Sequence, residues 1–138
     1  MYLLDTNVIS ELRRARPHGA VVAWLETVPD AALHISALSL GEIQAGVEKL
    51  RQRDAQKALE IEQWADRVEQ TFAVLPVDGR IFRLHARWMV ARSDHAYEDA
   101  LIAATAQVHG LTLVTRTARD FTDFDVPLFD PFTFSGQG

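Results

Sequence analysis

The chain has 138 residues, the length of one domain. Its 48% hydrophobic and 24% charged residues exclude a disordered, collagen-like or coiled-coil polymer. Cysteine is absent, which excludes disulfides, thiolate metal sites and a cysteine nucleophile, and a formal net charge of −5 is the wrong sign for a non-specific duplex binder.

Taken in order, Tyr2-Leu3-Leu4 is a strand candidate that ends at Asp5. A helical segment follows from about Val8, and Pro17 starts another that carries Val21, Val22, Trp24 and Leu25. Pro29-Asp30 is a turn, and Leu33-His34-Ile35 a second short strand. Ser36 or Ser39 then caps a long helix whose apolar residues Leu40, Ile43, Val47 and Leu50 recur at helical steps. A second helix places Leu59, Ile61, Trp64, Ala65, Val68 and Phe72 on one stripe, which serves either the core or a partner groove. Phe72-Ala73-Val74-Leu75 is a third strand, stopped by Pro76.

Asp78 reads as the N-cap of a helix running to about Arg92. The next helix covers Tyr97 to His109, with Gly110 as its terminating glycine. Leu111-Thr112-Leu113-Val114-Thr115 is the clearest strand, and a last one falls near Val126 to Phe129. Strands alternating with helices predict an α/β domain with a mostly parallel sheet, whose ligands sit at the carboxyl ends of the strands. The expected boundaries are a single domain over 1–132 and a flexible tail over 133–138. The start lacks a basic n-region and no apolar run is long enough to span a membrane, so the expected setting is soluble and cytoplasmic.

Three acids fall where such a sheet gathers ligands. Asp5 directly follows the first strand and is either a helix cap or a carboxylate at the active edge. Glu42 lies one to two turns after the second strand, flanking the buried stripe of Leu40 and Ile43. Asp99 opens the nearly uncharged helix Ala100-Leu101-Ile102-Ala103-Ala104-Thr105-Ala106, which reads as buried on most sides. Carboxylates sharing one pocket repel one another unless a cation neutralises them. Oxygen ligands with water suit Mg²⁺ or Mn²⁺, which polarises phosphoryl oxygens and activates water. The chemistry suggested is phosphodiester hydrolysis.

Leu3-Leu4-Asp5-Thr6-Asn7-Val8-Ile9-Ser10, Ser39-Leu40-Gly41-Glu42-Ile43 and Asp99-Ala100-Leu101-Ile102-Ala103-Ala104-Thr105-Ala106 resemble successive motifs of PIN-domain ribonucleases. Leu113-Val114-Thr115-Arg116 followed by Asp120-Phe121 resembles the fourth. Order and spacing are similar to the VapC toxins of type II toxin–antitoxin modules, including their FitB-like branch, from residue 2 to about 132. The resemblance implies a three-layer, Rossmann-like PIN fold and an Mg²⁺-dependent endoribonuclease. It also implies a toxin homodimer neutralised by a small antitoxin that alone contacts operator DNA. Asp5, Glu42 and Asp99 would be its catalytic acids, Asp5 and Asp99 its metal ligands, and Thr6 and Thr115 hydroxyls near them. Where the family often has aspartate or asparagine, this chain has Thr117, so Asp120 is either a substitute acid or a turn cap.

Arg80, Arg83 and Arg87 share a helical face and read either as solvated surface or as a stripe that tracks RNA phosphates. Arg13, Arg14 and Arg16 form a second basic cluster. His34 and His85 read as packing residues, and the histidines have no metal-ligand spacing. Two other functions compete. An aspartyl-phosphate enzyme needs a lysine near the phosphate, yet Lys49 and Lys57 lie in the middle helices. A regulatory module would hold an antitoxin at its operator and catalyse weakly or not at all.

Overall fold

Leu3 and Leu4 are adjacent, fully buried and committed to different cores. This follows from strand geometry, in which successive side chains point to opposite faces. They lie in β1 (Tyr2–Leu4) of a computed structural model that describes residues 1–136. The chain continues through α1 (Thr6–Glu11), α2 (Gly19–Glu26), β2 (Leu33–Ser36), α3 (Ala37–Arg51), α4 (Ala55–Thr71) and β3 (Ala73–Leu75). It closes with α5 (Gly79–Met89), α6 (Tyr97–His109), β4 (Thr112–Val114) and β5 (Leu128–Phe129).

The strands form one sheet in the order β3-β2-β1-β4-β5, every pairing parallel. Leu4 pairs in register with Ile35 and Val114, and these three share the face covered by α1 to α4. Leu3 and Leu113 pair on the opposite face, under Ala100, Ile102, Ala103 and Ala106 of α6. Burial on both faces explains why these strands are apolar runs rather than alternating ones. Each fully buried aliphatic side chain contributes about 1.5–3 kcal/mol. The expected three-layer α/β architecture is therefore present.

Helix ends are set locally. Asp5 caps α1, Ser36 caps α3 and Asp78 caps α5, each accepting a hydrogen bond from an early backbone N–H. Gly110 ends α6 at φ 66°, a left-handed conformation that only glycine adopts freely. Three boundaries differ from the sequence expectation. The first helix begins at Thr6, not Val8, because Asp5 caps it. The second begins at Gly19 after Pro17, with His18 Nδ1 accepting from the Ala20 N–H. The helix expected to reach Arg92 stops at Met89. There Arg92 turns aside to stack on Phe124 at 4.5 Å and donates to the Asp123 carbonyl at 3.0 Å. Within the segment expected as a tail, Thr133 closes a 3₁₀ turn and Phe134 packs against the core. Gln137 and Gly138 lie outside the described residues. No helix among the described residues is long and apolar enough to cross a membrane.

Candidate functional site

After β1 the chain moves outward to β2 and β3, then returns to place β4 on the other side of β1. The crevice at the carboxyl ends of β1 and β4 is therefore the topological switch point, where open parallel sheets bind ligands. Asp5 follows β1 and Thr115 follows β4. The two meet there: the Thr115 hydroxyl donates to Asp5 Oδ2 at 2.8 Å. The Thr6 N–H donates to Asp5 Oδ1 at 2.8 Å, and the Asp5 N–H donates to the Val114 carbonyl at 2.9 Å. Asp5 is thus a helix cap whose carboxylate also lies at the switch point.

Around this pair lies a small polar lattice. Thr115 Oγ1 accepts from the Thr117 N–H at 3.1 Å and from Asn7 Nδ2 at 3.5 Å. The Thr115 and Thr117 hydroxyls are 3.3 Å apart. Asn7 Oδ1 accepts from the Arg116 N–H at 3.2 Å, which ties the β4 loop to the start of α1. The Thr6 hydroxyl donates to Ser39 Oγ at 2.7 Å, joining α1 to the first turn of α3. Of the hydroxyl residues expected near the acids, Thr6 and Thr115 hydrogen-bond to Asp5 and Thr117 joins them through Thr115. Asn7 as a bridge and Ser39 as a partner are invisible in the sequence, since these contacts span 108, 109 and 33 residues.

Glu42 on α3 and Asp99 on α6 face the same region, half-buried. Burial pushes Glu42 up to about 7, and the charges of Glu98, Asp5 and Asp99 push the same way. The nearby Thr6 hydroxyl offsets part of this. Burial also raises Asp99, followed by the charges of Asp5, Asp120 and Glu98. Asp5 is raised by burial against the lowering effect of its two hydrogen bonds, with Asp120 adding to the rise. Asp120, exposed on the 3₁₀ turn Ala118–Phe121, is therefore close enough to be felt by two site acids. No lysine or arginine counters the rise at any of the three.

This donor set is all oxygen, negatively charged and without a basic partner, which fits a hard divalent cation. The described residues hold no three acids or histidines close enough to cage an ion by themselves. A cation here would therefore take one or two carboxylates and complete its shell with water or substrate oxygens, the usual habit of Mg²⁺.

A groove of about 490 Å³ leads away from Glu42, running between α1, α3 and α4 from Thr6 and Glu42 past Arg13, Lys49 and Arg53 to Ile61 and Trp64. The apolar stripe of α4 is thereby divided. Ala65 and Val68 enter the core, while Ile61 and Trp64 line the groove. Arg80, Arg83 and Arg87 line a separate groove with Leu84 and Val108, which none of the site acids lines. Arg14 pairs with Glu11 at 3.4 Å, and Arg13 and Arg16 are exposed. His85 is buried, its Nε2 3.0 Å from the Tyr97 carbonyl, and His34 Nδ1 lies 3.2 Å from the Tyr2 carbonyl. Lys49 and Lys57 sit on α3 and α4, not at a strand end.

A five-stranded parallel sheet in this order, with Asp5 and Thr115 joined at its switch point, defines a Rossmann-like α/β class. The PIN domain family model matches residues 2–126, and the chain belongs to the PIN domain family. It is 36% identical to Toxin FitB of Neisseria gonorrhoeae, over 96% of this chain and 99% of that protein. It is 33% identical to VapC ribonuclease Y4jK of Sinorhizobium fredii, over 96% of this chain and 98% of that one. The structure of FitAB bound to an IR36 DNA fragment superposes with a TM-score of 0.84 at 31% identity, covering 100% of both chains. A toxin–antitoxin complex from Klebsiella pneumoniae superposes with a TM-score of 0.71 at 26% identity, covering 95% of this chain and 98% of the other.

Proposed function

We propose that this protein is the toxin of a type II toxin–antitoxin pair and acts as a metal-dependent endoribonuclease. The observation that carries the reading is Asp5 held at the switch point by the Thr115 hydroxyl at 2.8 Å, with the half-buried Glu42 and Asp99 close enough to feel its charge and no basic side chain offsetting any of the three. The relatives called toxin and VapC ribonuclease support the same reading.

Asp5 and Asp99 would hold Mg²⁺, or Mn²⁺ in its place. The ion supplies Lewis acidity toward a phosphoryl oxygen and makes nearby water more acidic. The chain's own groups do the rest. Thr115 and the Thr6 N–H hold both oxygens of Asp5, so its carboxylate is fixed before substrate arrives. Glu42, close to Asp5 and Asp99, would take a proton from the attacking water at its carboxylate. Thr117 leaves a hydroxyl where an acid often stands, and Asp120 supplies negative charge from the next turn.

The groove from Glu42 to Trp64 takes a segment of the antitoxin, whose apolar side chains meet Ile61 and Trp64. A basic side chain of that segment would reach the acids and compete with the cation. Operator DNA would be contacted by the antitoxin; the similar FitAB structure is one bound to an IR36 DNA fragment. The threonine at position 117 favours a second reading, a weakly catalytic module that mainly strengthens the antitoxin's operator binding. Induced expression in a bacterial host separates the two. The nuclease reading expects growth arrest by the wild type and none by Asp5→Ala at equal protein level. Equal arrest by both variants contradicts it.

A further inference from the structure

The site described above repels its own substrate. Asp5, Glu42, Asp99 and Asp120 face a polyanion, in a chain whose net charge is already −5. A phosphodiester strand therefore needs a cationic hold beside the acids. The loop after β4 provides one.

Arg116 and Arg119 line a groove of about 450 Å³ with Thr117, Ala118 and Asp130. Thr117 connects this groove to the acids, its hydroxyl 3.3 Å from that of Thr115, which in turn donates to Asp5. Neither arginine forms an ion pair among the described residues. Two of the carboxylates nearby are engaged elsewhere. Glu11, which feels the charge of Arg116, is buried and accepts from the His18 N–H at 2.8 Å and from Arg14 at 3.4 Å. Asp130 accepts from the Phe132 N–H at 2.9 Å.

Arg116 is also held in place. Its guanidinium lies 4.4 Å from the centre of the Phe132 ring, and that ring meets His18 edge-on at 5.2 Å. Its backbone N–H is fixed by Asn7. A stacked arginine loses little further freedom on binding, and its fork of donors matches the oxygens of a phosphate. The groove on α5 lacks these properties: Arg80 already pairs with Asp78 at 3.5 Å, and among the described residues none of its arginines stacks on an aromatic ring.

We infer that Arg116 and Arg119 bind a backbone phosphate of the RNA strand beside the scissile one, so that the strand leaves the acids over the β4 loop. This rests on the nuclease reading and adds the path of the substrate to it. The ligand is a single-stranded phosphodiester, recognised by charge and not by base.

The test is fluorescence anisotropy with a short labelled single-stranded RNA of mixed sequence, in EDTA and again in Ca²⁺, between about 50 and about 200 mM KCl. Wild type, Arg116→Ala, Arg119→Ala, Arg116→Lys and Arg83→Ala are compared, with circular dichroism and Tm to establish folding. Each alanine variant in the β4 loop is expected to weaken binding about threefold to tenfold at the lower salt. Each should also reduce the slope of log Kd against log salt by about 0.7, the value for one lost phosphate contact on a single strand. Arg116→Lys should keep the slope and bind more weakly than wild type, because the charge remains and the fork is lost. If wild type binds RNA and both β4-loop variants keep its slope, the inference falls while the nuclease reading stands. A slope lost only in Arg83→Ala also overturns it, placing the strand over α5. No RNA binding by wild type in either buffer overturns the nuclease reading and this inference together.

Discussion

The Thr115 hydroxyl and the Asp5 carboxylate, 110 residues apart in sequence, meet at 2.8 Å at the carboxyl ends of two adjacent parallel strands. Their strands are registered by Leu4 opposite Val114, so the sheet itself brings the pair together. Thr115→Val removes the donor while keeping the shape. Leaving a buried carboxylate one partner short costs about 1–3 kcal/mol, which thermal melting will detect. RNA cleavage should fall by about tenfold or more, since tenfold needs only about 1.4 kcal/mol of misplaced transition-state contact. Thr115→Ser should retain most of both.

Glu42 gives the metal-free protein a pH signature. Its pKa rises from 4.5 to about 7 on folding, so the native state keeps a proton that the unfolded chain has already lost. By linkage, stability declines as pH climbs through that window and stays lower above it. Asp5 and Asp99 shift in the same direction. Melting in EDTA should therefore give a lower Tm at pH 8 than at pH 5.5. Glu42→Gln should flatten that difference and raise Tm at pH 8 by about 2–4 °C for each kcal/mol recovered. Mg²⁺ should raise Tm more at pH 8 than at pH 5.5. A Tm that increases steadily from pH 5.5 to 8 in EDTA would contradict the crowding of these acids.

The groove on α4 predicts a separation of functions. Ile61 lines it at half-burial, away from Asp5, Asp99 and Thr115. Ile61→Glu places a charge where an apolar partner segment would sit, a change that at the centre of an interface costs about 2 kcal/mol or more. The variant should cleave RNA as well as wild type and resist inhibition by the cognate antitoxin about thirtyfold better. Inhibition curves that coincide would place the antitoxin elsewhere.

Gly110 tests the link between α6, which carries Asp99, and β4, which leads into Thr115. At φ 66°, an added methyl group has room, but the backbone conformation disfavours it. Gly110→Ala should cost about 1–2 kcal/mol in denaturant unfolding without altering cleavage at saturating substrate. Loss of cleavage with unchanged stability would show that the turn reaches the site in another way.

Much of this was legible in the sequence for local reasons. A strand ending on Asp5, the Asp78 cap, the alanine-rich helix behind Asp99 and the glycine at 110 all carry their signals within a few residues. The end of α5 was not, because Arg92 is drawn off by Phe124 and Asp123 from a distant loop. Glu11 shows the same limit: it is buried and receives the His18 N–H across an intervening loop, a contact no local pattern announces. The three site acids were each ambiguous alone, and only their joint burial distinguishes them from helix-end charges. Arg116 carried no sequence signal beyond its place after Thr115. Its meaning comes from Phe132 and Asn7, which the fold brings to it from either end of the chain.

Cleavage of a structured RNA pool by antitoxin-free protein is the most direct measurement of the central claim. Wild type in Mg²⁺, wild type in EDTA, and folded Asp5→Ala and Asp99→Ala proteins in Mg²⁺ are run side by side. The account predicts cleavage by the wild type in Mg²⁺ alone, with products bearing 3′-hydroxyl and 5′-phosphate ends. Equal cleavage in EDTA, or by both variants, would show that the acids at the end of β1 and the start of α6 do not carry the reaction.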